Sequence, residues 1–101
     1  MWFNCLHINQ IEVGQVYKFA GGRLGGWTPN AEFISPKLEL GDKVVVKRIY
    51  YPGDKLPPAF SPNSDCYIHV IEVITEDGVD IIYNWWPDNP EISLSKVNDA
   101  I

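Results

Sequence analysis

Hydrophobic and polar residues alternate along short segments of this chain and rarely recur at helical spacing. No long stretch places apolar side chains at intervals of three and four residues along an uninterrupted backbone. Eight prolines and eight glycines instead divide the chain into short pieces. We therefore expect an all-β protein built from short strands and turns.

The clearest local signal is the pair Asp77-Gly78, which is flanked on both sides by β-branched and aromatic residues. Asp and Gly tolerate the positive φ values of both central positions in a type I′ turn, whose twist matches the strands that it joins. The pattern predicts a hairpin with one strand over residues 67–75 and the other over residues 79–86.

Two further strands are predicted after turns of similar sequence. Residues 43–51 are rich in Val and Ile and follow Glu39-Leu40-Gly41, while residues 16–20 follow Glu12-Val13-Gly14. The two segments share an order of acid, aliphatic residue and glycine, which indicates the same turn leading into a strand. The similarity is too short to indicate an internal repeat.

The remaining segments are loops and short terminal elements. Residues 20–37 contain four glycines and two prolines, and residues 52–65 contain four prolines. Loops of this length in a compact domain tend to carry function or to cover the core. An edge strand is expected over residues 91–94 and one helical turn over residues 95–100.

Together these elements predict a single domain over residues 1–101. Its expected fold is a small SH3-like antiparallel barrel of about five short strands with two long loops. An OB-type barrel is the alternative, but that fold needs a helix between its third and fourth strands that the pattern does not show.

Charge is distributed unevenly along the chain. Residues 65–101 hold eight carboxylates against one base, whereas residues 1–64 hold seven bases and five acids, and the net charge is −5. Because the acidic part also contains the predicted hairpin, we expect a folded surface to present the negative field. Such a field repels polyanions, and we expect no direct binding to nucleic acid. The local basic strip is Lys43, Lys47, Arg48 and Lys55, with Lys43 and Lys47 on one side of their strand and Arg48 on the other.

The sequence shows no segment that predicts export or membrane insertion. No run approaches the roughly 20 apolar residues of a membrane-spanning helix, and the first ten residues lack the basic start and long apolar stretch of a signal peptide. We therefore expect a cytoplasmic protein with no membrane partner. Cys5 and Cys66 are then expected to be reduced thiols.

Two cysteines and two histidines provide the ligand types of a tetrahedral zinc site. On an extended strand Cys5 and His7 share a face, but Cys66 and His69 project to opposite faces unless a bulge intervenes. We therefore expect no metal and no cofactor, with the cysteines in the core and the histidines at strand surfaces.

No catalytic arrangement is recognisable in the sequence. No serine lies in a nucleophile elbow or is placed near a histidine, and Glu76, Asp77 and Asp80 cluster around a turn where solvated carboxylates are the norm. The glycine-rich segment Gly21 to Trp27 lacks the order of a phosphate-binding loop and no helix follows it. We expect the protein not to be an enzyme.

These observations favour a non-enzymatic adaptor or inhibitor that occludes a basic site on a partner protein through the acidic hairpin and an adjacent aromatic surface. Small size and acidity would suit a regulator encoded by a phage or mobile element. The expected contacts are Glu76, Asp77, Asp80 and Asp88 for electrostatic steering, with Trp86, Trp27 and Arg23 as anchors.

The alternative is a module that binds a small anionic or nucleotide-like ligand. In this hypothesis the loop 21–26 closes over a pocket lined by Trp27, Tyr50 and Trp85, and Arg23 meets the anionic group.

Overall fold

The computed structural model describes residues 5–22, 25–57, 59–60, 66–86, 90 and 92–98. A short 3-10 helix (Ile8–Gln10) precedes seven strands: β1 (Val16–Gly21), β2 (Gly26–Trp27), β3 (Phe33–Ile34), β4 (Lys43–Tyr50), β5 (His69–Thr75), β6 (Asp80–Trp85) and β7 (Ser93–Lys96). All strands pair antiparallel in one sheet of order β3-β2-β6-β5-β4-β1-β7. In the described ranges no helix is long and apolar enough to cross a membrane.

The all-β prediction is confirmed, but the barrel is not. The sheet ends at β3 on one side and β7 on the other, and no pairing joins these edges among the described residues. The described residues form seven strands instead of about five because part of the predicted loop 20–37 forms the short strands β2 and β3. The SH3-like and OB-type barrels both require a closure that this strand order does not contain.

The predicted hairpin is present as β5 and β6, but its turn differs from the prediction. Gly78 N–H donates to Thr75 O at 2.9 Å, and Thr75 N–H donates to Val79 O at 3.0 Å. These bonds enclose three residues, and Gly78 has a φ of 84° whereas Asp77 is not among the described residues with positive φ. The connection is therefore a three-residue loop that ends in a glycine bulge, not a type I′ turn.

The C-terminal prediction is also corrected. The expected edge strand lies two residues further along, as β7, and Ser95 and Lys96 belong to it and not to a helical turn. Pairing with β1, where Lys18 lies opposite Ser95 and Tyr17 opposite Lys96, accounts for the extended backbone. The last residues of the expected helical turn, 99–100, lie outside the described part of the chain.

The two faces of the sheet carry different clusters of apolar side chains. We call the face that carries the larger cluster the core face and the opposite one the outer face. On the core face, strand residues such as Val44, Ile71 and Ile81 pack with Leu6, Ile11, Leu38 and Ile92 from outside the strands. On the outer face, Tyr50, Cys66, Val70 and Ile82 pack with Leu56 and Phe60. Leu56 and Phe60 belong to the second long loop, so this loop covers the buried apolar cluster of the outer face, in line with the expectation that a long loop covers apolar side chains.

The two turns with similar sequences also have the same geometry. The N–H of the fourth residue donates to the carbonyl of the first, at 3.3 Å in turn 12–15 and at 2.9 Å in turn 39–42. The third residue is Gly14 or Gly41, with φ values of 87° and 94°. These are the features of a type II turn, which needs positive φ at this position.

Each of these turns binds the strand that follows the other turn. Turn 12–15 hydrogen-bonds through its third and fourth residues to both backbone groups of Val46 in β4, at 2.8 and 3.0 Å. Turn 39–42 binds Phe19 in β1 in the same way, at 2.9 and 2.7 Å. Because β1 and β4 pair antiparallel with Tyr17 opposite Val44, a local two-fold axis relates the two turns.

Candidate functional site

The predicted contact residues fall into two groups around β5 and β6. Glu76 and Asp77 lie at the tip of the hairpin, and Trp27, Asp80 and Trp86 lie on or beside the outer face. The two other predicted contacts, Arg23 and Asp88, lie outside the described residues.

The tip of the hairpin lies against turn 39–42. Glu76 Oε1 accepts a hydrogen bond from the backbone N–H of Lys43 at 3.1 Å, and Asp77 is exposed. A cavity of about 210 Å³ is lined here by Lys37, Leu38, Asp42, Lys43, Thr75, Glu76 and Asp77. Its three carboxylates exceed its two ammonium groups, so the tip keeps a negative field, although lysines from the basic part of the chain reduce it.

Sequence reasoning assigned Asp42 to the basic part of the chain and did not place it beside the hairpin. The antiparallel pairing of β4 with β5, which sets Val44 opposite Thr75, brings the start of β4 to the end of β5. The sequence did predict a turn directly before β4. If β4 and β5 are assumed to pair antiparallel, this turn and its Asp42 must lie beside the hairpin tip that follows β5.

Asp80 lies in a compact charged cluster on the outer face. Lys47 Nζ donates to Asp80 Oδ2 at 3.0 Å and lies 3.5 Å from Glu72 Oε2. The register of β4 against β5 shifts between Val46 and Arg48, so that Lys47 is the extra residue of a β-bulge. Because Lys47 balances part of its charge, Asp80 presents a weaker negative field than the sequence suggested.

Glu72 is the most buried member of this cluster, with a side chain only 6% exposed. Burial raises the pKa of the Glu72 carboxyl above its ordinary value, and the nearby Asp80 carboxylate raises it further, while Lys47 opposes both effects. The hydrogen bond to Asp80 and the charges of both acids raise the pKa of Lys47. The cluster therefore binds a proton more readily than three separate side chains would.

An aromatic pair extends the outer face towards the β3 edge. Trp27 and Phe33 lie opposite each other in β2 and β3, with ring centroids 5.2 Å apart in an edge-to-face arrangement. They are 40% and 61% exposed. Trp27 lies opposite Ile82, Ile82 opposite Glu72, and Glu72 opposite Arg48. A row of paired residues thus leads from the exposed aromatic rings to the charged cluster, with the buried Ile82 between them. The position of Phe33 beside Trp27 was not predicted.

The consecutive tryptophans point to opposite sides, as strand alternation predicted. Trp85 is buried in the core-face cluster, whereas Trp86 is 39% exposed and lies edge-on to Tyr67 with centroids 6.3 Å apart. Since Tyr67 is also exposed, the two rings form a second aromatic surface near the start of β5.

The pocket of the small-ligand hypothesis does not form as proposed. Trp27 and Tyr50 lie on the outer face, but Trp85 points into the core on the other side of the sheet. Gly26, at the end of the loop proposed to cover this pocket, is tightly packed against the core face, because a Cβ at this position would lie 2.5 Å from Ile81 Cγ2. The three aromatic residues therefore do not line one cavity.

The four candidate zinc ligands lie in two separate segments, two in each. The segment with Cys5 and His7 joins the β7 edge through Leu6 N–H and Leu94 O at 2.8 Å, while Cys66 and His69 lie at the start of β5. Cys66 is buried in the outer-face cluster. Within the residues that the structure describes, no group of three or more His, Cys, Asp or Glu side chains is arranged to hold a metal ion.

Comparison of the chain with models of protein families, with curated proteins and with solved structures finds no match.

Proposed function

We propose that this protein is a non-enzymatic protein-binding module, an adaptor or inhibitor that occludes a basic site on its partner. The contact surface consists of the acidic hairpin tip, Glu76 and Asp77, and the exposed aromatic pair of the outer face, Trp27 and Phe33. Its small acidic domain suits a regulator of the kind encoded by a phage or mobile element.

The observation that carries this proposal is the exposed pair Trp27 and Phe33 on the outer face. Exposed large apolar rings bordered by charged groups are a common feature of protein interaction surfaces. Tryptophan is also enriched among residues that contribute most to binding. The charged cluster around Lys47 lies at the end of the same row, where it would form the polar border of the interface.

The hairpin tip supplies the electrostatic part of the mechanism. Glu76 and Asp77 are exposed at one end of the sheet and their charges add to that of Asp42. Such a field accelerates association with a positively charged surface and is weakened by salt. After association, the aromatic rings would provide most of the buried apolar area and so limit dissociation.

The proposal is tested by capturing a partner with the wild-type protein and measuring both rate constants by surface plasmon resonance. The double variant Glu76→Gln/Asp77→Asn should reduce the association rate and its dependence on salt. Trp27→Ala should instead increase the dissociation rate, by about tenfold or more for a contact residue at the centre of an interface.

Glu12→Gln is the matched control, because Glu12 is an exposed acid in turn 12–15, away from the hairpin tip. It should leave both rate constants close to those of the wild type. If Trp27→Ala and the tip variant bind the captured partner as the wild type does, this surface is not the interface.

A further inference from the structure

A second cavity lies beside turn 12–15, at the place that corresponds to the cavity at the hairpin tip. Tyr17 of β1 pairs with Lys96 of β7. Val44 of β4, which lies opposite Tyr17, pairs with Thr75 of β5. The local two-fold axis that relates the two turns therefore also relates the end of β7 to the end of β5. The cavity beside turn 12–15 has a volume of about 560 Å³, compared with about 210 Å³ at the hairpin tip.

A carboxylate binds one backbone donor of the cavity at the tip, and the equivalent donor in the second cavity lacks such a partner. At the tip, Lys43 N–H donates to Glu76 Oε1 at 3.1 Å. Under the two-fold axis, Val16 is the counterpart of Lys43 and Val97 that of Glu76, and both valines line the second cavity. Because the Val97 side chain holds no acceptor, it cannot bind the Val16 N–H as Glu76 binds that of Lys43.

The Val16 N–H points away from β4. Val46 N–H donates to Gln15 O at 3.0 Å, which makes Gln15 and Val46 a hydrogen-bonded pair. Because such pairs alternate along an antiparallel ladder, Val16 and Val45 form a non-hydrogen-bonded pair, and the N–H of Val16 faces the β7 side. β7 ends at Lys96 and is followed by a turn, and no main-chain acceptor for this N–H is found among the described residues. The amide is therefore available to a ligand.

Two opposite charges line the same cavity. They belong to Lys96 and Glu12, and no ion pair or side-chain hydrogen bond of either residue is found in the described part of the chain. The main chain of Glu12 is held in place, because its N–H donates to Tyr17 Oη at 2.8 Å. The exposed side chains of Val16 and Val97 add an apolar surface. The cavity thus offers a donor and a cation for a carboxylate, an acid for an ammonium group, and room for an aliphatic group.

We infer that the cavity beside turn 12–15 binds a free amino acid with an aliphatic side chain. The carboxylate of this ligand accepts the Val16 N–H, in the way that a glutamate carboxylate accepts the equivalent N–H at the hairpin tip, and pairs with the Lys96 ammonium group. Its ammonium group pairs with Glu12, and its side chain contacts Val16 and Val97. A volume of about 560 Å³ lies within the range of small-molecule sites. Of the described residues proposed to contact a protein partner, none lines this cavity, so the inference does not depend on the proposed function.

The test is a titration of the full chain with leucine, followed through the amide chemical shifts by NMR spectroscopy. We expect saturable shifts of the Val16, Lys96 and Val97 amides, with a Kd of about 1 mM for so small a ligand. Isocaproate lacks the ammonium group of leucine, and isoamylamine lacks its carboxylate. At the same pH and ionic strength, each should bind about fivefold or more weakly than leucine, because each loses one charge-assisted hydrogen bond.

Glu12→Gln and Lys96→Met should each raise the Kd for leucine by about fivefold or more for the same reason. Their matched controls are Glu39→Gln, at the equivalent position of turn 39–42, and Lys37→Met, at the cavity of the hairpin tip. Both controls should bind leucine as the wild type does. All four side chains are exposed, so these substitutions should leave the fold intact.

The inference is overturned if leucine gives no saturable shift of the three amides, or if the shifts occur only at residues away from the cavity. Equal binding of isocaproate and leucine by the wild type also overturns it. An unchanged Kd for leucine in both Glu12→Gln and Lys96→Met has the same consequence.

Discussion

The two faces of the central strands are built in opposite ways. On the core face, the strand positions of β4 to β6 are apolar and almost completely buried, except for the half-buried His69 and Thr75 at the two ends of β5. On the outer face, the same strands alternate apolar residues with the charged groups Lys47, Arg48, Glu72 and Asp80. Since both faces share one backbone, the difference arises only from which side chains the two-residue alternation sends to each side.

This comparison separates the residues that stabilise the sheet from those available for binding. Apolar burial on the core face is the main source of folding free energy. The outer face keeps exposed rings and a partly desolvated ion cluster, which contribute little to stability and are accessible to a partner. We therefore expect substitutions on the core face to affect stability strongly, and substitutions of the exposed rings and the charged cluster on the outer face to affect binding or pH dependence.

The largest expected effect is that of Ile71→Ala, compared with Ile74→Ala on the same strand. Ile71 is fully buried on the core face, whereas Ile74 is half-buried on the outer face. Ile71→Ala should lower the free energy of unfolding by about 2–5 kcal/mol through lost burial and a cavity, and Ile74→Ala by clearly less. Urea denaturation measures both. Equal losses would mean that the two faces do not differ in packing.

A second pair of substitutions tests the same contrast at adjacent glycines. A Cβ on Gly26 would lie 2.5 Å from Ile81 Cγ2 and 3.0 Å from the carbonyl oxygen of Ile82. A Cβ on Gly25 would meet only the exposed ring of Phe33, at 3.3 Å. Gly26→Ala should therefore cost about 1–3 kcal/mol through overpacking.

Gly25→Ala is the control and should change the melting temperature much less, because the Phe33 ring can move into solvent. If Gly25→Ala proves the more destabilising of the two, the assignment of Gly26 to the tightly packed face is wrong.

The smallest expected effect concerns the pH dependence contributed by Glu72. Its pKa is raised in the folded protein, so the folded state holds this proton more tightly than the unfolded state does. The resulting stabilisation is fully present below the unfolded pKa of about 4.3 and is lost as the pH rises through the folded pKa. Relative to Glu72→Gln, the wild type should therefore lose stability as the pH rises from acid towards neutral.

Chemical denaturation of both proteins across this pH range gives the difference curve. Asp80→Asn should move the fall in that curve to lower pH, because the Asp80 carboxylate helps to raise the pKa of Glu72. Stability curves of the wild type and Glu72→Gln that remain parallel at every pH would contradict the shift.

Local patterns predicted the longer strands well. Dense Val and Ile located β4, the glycine-containing turn before residue 16 located β1, and the residues around Asp77 and Gly78 located the β5–β6 hairpin. In each case the signal is contained in a few consecutive residues. The strands β2 and β3 were missed because two residues each are too short to show an alternation.

Features that depend on pairing between distant segments could not be predicted. Whether the sheet closes depends on its edge strands, which no local pattern specifies. The ion pair between Lys47 and Asp80 joins residues on different strands, and it also depends on the β-bulge at Lys47, which interrupts the simple alternation used to place Lys43, Lys47 and Arg48. The acidic tip was anticipated at Glu76 and Asp77, but the position of Asp42 on the same cavity follows from the β4–β5 register.

The paired turns at 12–15 and 39–42 fix how β1 and β4 can slide along each other. Turn 12–15 is hydrogen-bonded to β4 and turn 39–42 to β1, at opposite ends of the β1–β4 pair. A shift of one strand in either direction therefore disrupts the bonds of both turns. Sliding by one residue would break these four main-chain hydrogen bonds at once and turn the buried side chains of one of the two strands towards the outer face. The two turns therefore hold β1 and β4 in a single register, in which Lys18 lies opposite Lys43.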